Sequence, residues 1–419
     1  MARWQPRKRR KFLFAGLLVS LLLVAVLYVA RKFKSQSCSD QEARTTLLKL
    51  CEEYTSNKVT GNLCPDLCTT HSIIYRECLN NKKDRKRVML AEWNAHKVIL
   101  KSRYSHLQDY KSLMPEYMKD EGKMVTSLPD MATFLMLVQN QLRTIFVVDT
   151  PDITRTEIVK KMWQMPWEDH ETMSTAAMES LWALLQQDEY LMMQYFQGNK
   201  HFPKIYGSCG HMYVMEYTPP GDTLSPPLVF FKTGLPVELT STPDWNKRAN
   251  VALGFLTFLE DLNTLYTEPL HLCDVKHENY GVSADFTIQA IDVDTAFFET
   301  KMQAILGQKS CTKNEDCEFV HCESSCDLRH RRCSKYRSNN NLQAICKKIF
   351  VGHREHGPPY GGLLRSPPAA IADRLNKALQ ECVGPLSESD NQSHEASAKT
   401  LETIRSILSE SLQSNERIT

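Results

Sequence analysis

Residues 12–30 form an uninterrupted run of nineteen residues without a charged side chain, rich in Leu, Val and Ala. As an α-helix this run would be roughly 28 Å long, close to the thickness of a bilayer's hydrocarbon core. A cleaved signal peptide has a shorter apolar core and ends at a small-x-small site, whereas this run ends at Arg31, Lys32 and Lys34. The pattern therefore predicts a retained signal-anchor that crosses a membrane once.

The charges around this run predict its orientation. Six basic residues precede it and three follow it, which places residues 1–11 in the cytosol as a basic tail and the rest of the chain in the lumen. The paired arginines of the tail leave two interpretations open, a retrieval signal for the endoplasmic reticulum or topology determinants alone. Residues 1–34 hold nine of the 51 basic residues and no acid, so the remainder has 42 basic and 49 acidic side chains. This acidic balance argues against nucleic-acid binding.

Eleven of the fourteen cysteines lie in two segments, residues 35–80 and residues 311–346. Both segments follow the apolar run, and in an oxidising lumen such clusters predict a disulfide framework. The second segment lacks paired C-x-x-C knuckles, which disfavours zinc. Asn391-Gln392-Ser393 is a glycosylation sequon, which has meaning only on the lumenal side. These signals agree with the predicted topology.

Hydrophobic periodicity predicts an α+β chain, with short strands before longer helices. The six prolines of residues 218–245 predict a loop or linker there. The predicted strands are residues 88–93, 97–101, 205–207 and 211–217, and the predicted helices are residues 131–145, 176–196, 251–265 and 396–412.

Asp274, Lys276 and Asn279 have the spacing D-x-K-x-x-N, and Asp292 follows thirteen residues later at the end of an apolar run. Phosphoryl transfer needs a carboxylate to orient the attacking hydroxyl, a lysine near the moving phosphate, and an Asn and a second Asp to hold metal. The pattern predicts these roles for the four residues in that order. The alternative is a surface turn followed by an Asp-x-Asp strand end.

Upstream residues could contact the nucleotide. Lys101 ends a V-x-x-K strand, whose lysine would contact the α and β phosphates, although this pattern is common. Glu189 is a suitable helix partner for Lys101, and its alternative is a solvated helix face. Glu216 ends a predicted strand pair in the manner of a kinase hinge.

Several longer motifs together resemble one family. They are S-L-W-A-L-L-Q at 180–186, G-S-C-G-H-x-Y at 207–213, H-L-C-D-V-K-x-E-N at 271–279 and A-I-D-V-D-x-A-F-F-E at 290–299. The chain resembles the divergent protein kinase domain family 1 of endoplasmic-reticulum type II membrane proteins, from about residue 36 to about residue 385. The resemblance implies a bilobal kinase-like fold, residence in the endoplasmic reticulum, and a kinase activity that would use ATP with Mg²⁺ or Mn²⁺.

The sequence patterns and the resemblance together predict an organisation for the whole chain. In chain order this is a basic tail (1–11), a signal-anchor (12–30), a Cys-rich lumenal segment (35–80), an N-lobe (81–217) with an EF-hand-like insert (166–177), a C-lobe (218–385) with a second Cys-rich segment (311–346), and a tail with an amphipathic helix (386–419). The insert has Pro166, Glu168, His170 and Ala177 where a calcium loop needs oxygen ligands, so calcium binding is not expected.

Three departures from the kinase pattern bear on activity. No glycine lies between Cys78 and Val88, where a phosphate-covering loop relies on glycine. Cys273 occupies the place of the catalytic-loop arginine, and no A-P-E motif is present. Asp294 replaces the glycine after Asp292-Val293, and could be an extra metal ligand or simply a hairpin residue.

Two functions from different classes are therefore expected for the lumenal domain. One is an ATP-dependent phosphotransferase whose substrate is unknown. The other is a pseudokinase that uses the same fold as an interaction module in the endoplasmic reticulum. A disulfide-rich adhesion or receptor ectodomain is a third class, but it would not predict the D-x-K-x-x-N spacing.

Overall fold

The computed structural model describes residues 39–80, 86–113, 129–146, 155–164, 173–219, 228–230, 236–238, 244–265, 267–352, 361–384 and 390–416. The predicted signal-anchor at residues 12–30 lies outside these ranges, as do the basic tail and most of the EF-hand-like insert. Within these ranges, no helix combines the length and the apolar character that a membrane crossing requires.

The described elements have mixed α and β content, as the sequence predicts. The helices are α1 Asp40–Thr55, α2 Met131–Arg143, α3 Arg155–Met162, α4 Thr175–Leu185, α5 Asp188–Tyr195, α6 Trp245–Leu262, α7 Glu299–Gly307, α8 Asn341–Ile345, α9 Ala369–Val383 and α10 Asp390–Glu416. The strands are β1 Ile73–Asn80, β2 Arg87–Trp93, β3 His96–Ser102, β4 Ile205–Cys209, β5 Met212–Glu216, β6 Leu228–Phe230, β7 Pro236–Glu238, β8 Leu270–Leu272, β9 Tyr280–Val282, β10 Ile288–Ala290, β11 Ala296–Phe298, β12 Glu318–Phe319, β13 Cys322–Asp327 and β14 Arg332–Arg337.

The first of two compact units includes residues 39–112, 174–183 and 207–214. Its strands belong to a five-stranded sheet with the order β1-β2-β3-β5-β4. A two-residue turn joins β2 to β3, with Asn94 and Ala95 both in the left-handed region (φ 50° and 63°). Such a turn matches the twist of an antiparallel pair, so it sets the register in which Val88 faces Lys101.

Two disulfides hold the start of the first unit together. Cys51 is bonded to Cys68 and Cys64 to Cys209, the latter across a sequence separation of 145 residues. Gly61 lies so close to the strand that ends at Cys209 that an added Cβ would be 2.1 Å from the Ser208 carbonyl oxygen. The long-range disulfide therefore coincides with a close approach of two backbones.

The second unit includes residues 113–173, 184–206 and 215–419. Its central helix, α6, begins with Asp244, whose carboxylate accepts a hydrogen bond from the Lys247 amide at 2.7 Å. Most apolar side chains of α6 are buried, and α10 packs against this helix, with the Trp245 indole donating to Ser411 Oγ at 3.1 Å. The Cys346–Cys382 disulfide ties the region after α8 to α9.

The second Cys-rich segment folds as a small sheet with the order β12-β13-β14. Two disulfides close it internally, Cys311–Cys326 and Cys317–Cys333. The sulfur atoms of Cys311, Cys317 and Cys326 lie within 4.8 Å of one another, but all three are oxidised in these bonds and are not metal ligands. The predicted disulfide framework is confirmed.

Two sequence predictions were wrong. The helix predicted over residues 176–196 is two helices, α4 and α5, because Gln187 adopts an extended backbone (φ −113°, ψ 100°) and Asp188 and Glu189 start a new first turn. Acidic side chains favour such a helix N-terminus. The proline-rich residues 218–245 are not all loop, since β6 and β7 form a hairpin in which Phe230 faces Pro236.

Candidate active site

Two short antiparallel pairs carry the residues predicted for phosphoryl transfer. β8 pairs with β11, and β9 pairs with β10. The connection from β8 to β9 contains Asp274, Lys276 and Asn279, and the connection from β10 to β11 contains Asp292. Because both connections run between the same two strand pairs, they lie side by side.

Asp274, Lys276 and Asn279 form one hydrogen-bonded group. The Asn279 amide nitrogen donates to the backbone oxygen of Asp274 at 2.7 Å and to its carboxylate at 2.9 Å. Lys276 Nζ lies 2.5 Å from the same carboxylate oxygen, and the Lys276 and Asp274 side chains are 46% and 20% exposed. Asn279 is 3% exposed, which makes it the buried anchor of the group.

Backbone hydrogen bonds place the Asp292 connection next to this group. The Ile291 amide donates to the Asn279 carbonyl at 2.9 Å, and the Cys273 amide donates to the Thr295 carbonyl at 3.2 Å. Asp292 is partly exposed between the two, while the following Val293 is buried. The structure therefore brings Asp274, Lys276 and Asn279 into contact and sets Asp292 on the adjoining segment.

The three upstream residues are placed as follows. Lys101 lies in β3 of the first unit and is 6% exposed. Glu189 is the second residue of α5 in the second unit and is 4% exposed, so a solvated helix face is wrong for this residue. Glu216 ends β5, and its carboxylate accepts from the Lys204 amide at 3.2 Å. The pairing of Lys101 with Glu189 stays a prediction.

Two family models match separate parts of the chain. Over residues 3–161 the chain matches the family model described as the N-terminal cysteine-rich ER region of FAM69. Over residues 181–385 it matches the model described as the protein-kinase domain of FAM69. The chain belongs to the FAM69 family.

One curated relative also matches part of the chain. The FAM69 chain is 28% identical over 224 residues to a Xenopus tropicalis protein named divergent protein kinase domain 2A. The alignment covers 50% of this chain and 48% of that relative, so the chain spans about half the length of the curated relative it matches. The resemblance to divergent kinases that the motifs indicate is confirmed at the level of the family.

The FAM69 chain differs from the usual kinase pattern directly beside Asp274. Cys273, which stands in place of the catalytic-loop arginine, is bonded to Cys322 in the second Cys-rich segment. Both cysteines are fully buried in a cluster with Met302 and Leu306. A covalent bond to β13 therefore holds the connection from β8 to β9 at the residue preceding Asp274.

A polar network lies behind the same connection in the FAM69 chain. His271 Nε2 donates to Glu299 at 2.5 Å, and Arg337 donates to His271 Nδ1 at 3.3 Å. The same guanidinium donates to the Asn341 side-chain oxygen at 2.7 Å. The Asn341 side chain also accepts from the Leu272 amide and donates to the Leu270 carbonyl, both in β8. Arg337 thus supports β8 through an asparagine and a histidine.

Burial and charge shift the titration of this network. Burial lowers the pKa of Arg337 to about 10, despite the Glu323 and Glu299 carboxylates nearby. The hydrogen bond from His271 lowers the pKa of Glu299. Burial, with the Asp274 carboxylate as a smaller cause, raises the pKa of Tyr280 well above its usual value. The His271 ring thus bridges the Arg337 guanidinium and the Glu299 carboxylate next to β8.

The sequence motifs contained part of this network. His271 and Glu299 belong to the two motifs on which the family resemblance rests, although those motifs assign them no role. Arg337 lies 66 residues from His271 and carries no local signal. The partner of Cys273 could not be deduced, because cysteine spacing does not determine connectivity.

Proposed function

We propose that this FAM69 chain is a lumenal phosphotransferase that uses ATP with Mg²⁺ or Mn²⁺ and transfers phosphate to a hydroxyl group. The observation that carries the proposal is the group formed by Asp274, Lys276 and Asn279, with Asp292 on the adjoining segment. Carboxylate, ammonium and amide in this arrangement are what phosphoryl transfer requires of a protein.

The donor set fits a divalent metal ion. The side-chain nitrogen of Asn279 is committed to two oxygens of Asp274, so Oδ1 is the atom that Asn279 can offer a cation. With the Asp292 carboxylate it supplies the hard oxygen ligands that Mg²⁺ and Mn²⁺ prefer. The metal would neutralise phosphate charge at this position.

The other side chains act on the substrate and the nucleotide. Asp274 would orient the attacking hydroxyl and accept its proton, and Lys276 would place its positive charge beside the transferred phosphate. Lys101, partnered by Glu189, would hold the α and β phosphates, and Glu216 would contact the nucleotide at the hinge.

Metal-dependent nucleotide binding tests the proposal on the purified full chain. Thermal unfolding with ATP and Mn²⁺ at about 100 times the dissociation constant should raise the Tm by a few degrees, since such a ligand adds about 2.7 kcal/mol of stability. Asp292→Ala should abolish the shift. Asp373→Ala, which removes an exposed aspartate on α9, should leave the shift intact. A wild-type chain that gives no shift, or an Asp292→Ala chain that shifts normally, would contradict the proposal.

Asp294→Ala separates the two interpretations of that residue in the same assay. Asp294 is exposed, two residues after Asp292. If Asp294 is a metal ligand, Asp294→Ala should weaken the Mn²⁺-dependent Tm shift. A hairpin residue would leave the shift unchanged and alter only the basal Tm.

One feature favours a second function, a pseudokinase that serves as an interaction module. The connection from β1 to β2 contains no glycine between Cys78 and Val88, so close backbone approach to phosphates is less accessible there. A chain that binds ATP and Mn²⁺ without transferring phosphate, or that binds neither, would support this second function.

We also propose that the chain is anchored once in the endoplasmic-reticulum membrane and glycosylated at Asn391. The support is the charge-free run at residues 12–30, the basic residues around it, and a disulfide content that requires an oxidising compartment. In microsomes the bulk of the chain should resist added protease. Removal of N-glycans should increase its mobility on a gel, and Asn391→Gln should abolish that change.

A further inference from the structure

We propose that His321, in the second Cys-rich segment, is a positioning residue that fixes the backbone on both sides of Asp274. The effect of His321 on catalysis rests on the proposed phosphotransferase function. Its effect on the backbone of the connection from β8 to β9 does not. His321 lies in the turn between β12 and β13, directly before Cys322, which is bonded to Cys273.

Two hydrogen bonds of His321 reach the connection from β8 to β9, and a third joins His321 to Asn339. Its backbone amide donates to the Cys273 carbonyl at 2.8 Å. Its ring atom Nδ1 accepts from the Val275 amide at 3.0 Å. Its carbonyl accepts from the Asn339 side chain at 2.9 Å. The residues before and after Asp274 are therefore both bound to one histidine, and that histidine is bound to the adjoining β-segment.

Asn339 is itself fixed by two neighbours. Its Oδ1 accepts from Arg337 Nε at 2.6 Å and from the Glu323 amide at 3.2 Å. The hydrogen bonds thus run without interruption from the Arg337 network, through Asn339 and His321, to the backbone around Asp274. A side chain held in this way can fix the backbone that it contacts.

The backbone before His321 is strained. Val320 lies in the left-handed region (φ 55°), which a β-branched residue rarely adopts, and it is 45% exposed. Because the Val320 side chain is exposed, burial in a core does not account for its left-handed conformation. Strain of this kind persists where the surrounding contacts determine it, and here the surrounding contacts are those of His321.

The direction of the Val275 hydrogen bond makes the role testable. The amide donates, so Nδ1 carries no proton and acts only as an acceptor. Asparagine can present Oδ1 at nearly the same distance from the backbone, whereas leucine fills a similar volume without any acceptor. His321→Asn should therefore preserve the function of the ring, and His321→Leu should remove it.

His330 provides a matched control. It lies in the same disulfide-linked segment, its side chain is 68% exposed, and its ring contacts Asp327 rather than the connection from β8 to β9. His330→Leu and His330→Asn should behave like the wild type in every measurement below.

The test measures hydrogen exchange and kinetics on the full chain. In His321→Leu, amides in peptides covering residues 272–279 should exchange about tenfold faster, because the partly buried hydrogen bond from the Val275 amide has been lost. Phosphate transfer should show a kcat lower by about tenfold with an unchanged KM for ATP. His321→Asn should restore both to near wild-type values.

Two outcomes would overturn the positioning role of His321. Unchanged exchange in His321→Leu would overturn the proposal, and so would a His321→Asn variant as impaired as His321→Leu. The exchange measurement needs no activity, so it tests the positioning role even in a chain that binds no ATP. Failure of the proposed function would instead appear as a wild-type chain without an ATP- and Mn²⁺-dependent Tm shift.

Discussion

The side-chain nitrogen of Asn279 lies 2.7 Å from the backbone oxygen of Asp274 and 2.9 Å from its carboxylate. One amide group thus fixes both the main chain and the side chain of the proposed catalytic aspartate. It also orients its own oxygen away from Asp274, toward where a cation would be bound.

Asn279→Asp replaces this donor with a second carboxylate at nearly unchanged volume. Two carboxylates would then face each other across a buried contact, and we expect the free energy of unfolding to fall by about 2–3 kcal/mol at neutral pH. Urea denaturation measures the loss. Asn57→Asp, at an exposed left-handed position, is the control and should change stability little. Equal effects of the two substitutions would exclude the structural role of the Asn279 donor.

Arg337→Met should lower the free energy of unfolding by about 2–4 kcal/mol, because Nδ1 of His271 loses its donor and the side-chain oxygens of Asn339 and Asn341 each lose one donor. Arg337→Lys should lower the free energy of unfolding by less, because the ammonium keeps the positive charge. Some loss should remain, because lysine lacks the planar guanidinium that reaches both asparagines. Arg332→Met, on the same strand but exposed, is the control. Chemical denaturation should give a free energy of unfolding that increases from Arg337→Met to Arg337→Lys to wild type. An equal loss of stability for Arg337→Met and Arg332→Met would contradict the role of the network.

Local patterns in the sequence predicted the parts of the fold that depend on local geometry. The strands at residues 88–93 and 97–101 follow from two short apolar runs separated by a turn at Asn94-Ala95 that suits a hairpin. The D-x-K-x-x-N spacing predicted three residues that are within hydrogen-bonding distance, because so short a connection allows few arrangements.

The parts that could not be predicted depend on distant contacts. No glycine or proline marks the break between α4 and α5, which is set by the buried position of Gln187 and Glu189. The pairing of Cys273 with Cys322 joins residues 49 apart, and His321 contacts Val275 across 46 residues. A single sequence contains no periodicity that encodes such pairs.

Asp261 should make the stability of the chain depend on acid pH. Its carboxylate bonds Lys200 and His201, and these bonds, Lys200 first, lower its pKa below the ordinary 3.8. A carboxyl group with a lowered folded-state pKa stabilises the fold above its ordinary pKa, and the contribution disappears as pH falls through the folded-state value. Asp261→Asn should lower the free energy of unfolding by about 1 kcal/mol at pH 7, since the carboxylate is partly exposed.

The difference between Asp261→Asn and wild type should vanish below the folded-state pKa, and unfolding measured from pH 7 down to acid pH tests this. His201, which bonds Asp261, also bonds the Ile288 carbonyl at 2.7 Å. The Asp261 contacts therefore also support β10, the strand before Asp292. Asp373→Asn, at an exposed site on α9, should leave the pH profile unchanged. A constant difference at all pH values would show that Asp261 acts by packing alone.

The Cys51–Cys68 and Cys64–Cys209 disulfides of the first unit should contribute unequally. They close segments of 17 residues (Cys51–Cys68) and 145 residues (Cys64–Cys209), and chain-entropy estimates give about 3 and about 5 kcal/mol respectively. Replacing both cysteines of each pair with alanine and measuring unfolding without reductant compares them directly. A larger loss for the Cys51–Cys68 pair would contradict the entropic explanation.

The long Cys64–Cys209 separation also has a consequence during biosynthesis. At about 5–20 residues per second, the ribosome needs roughly 7–30 s to deliver Cys209 after Cys64. Throughout that interval Cys64 is a nascent-chain thiol whose neighbours Cys51 and Cys68 are already available for oxidation. In an oxidising compartment we therefore expect an isomerase that undoes premature pairings to raise the yield of the Cys64–Cys209 bond, and its removal to leave more newly made chains as mixed-disulfide species.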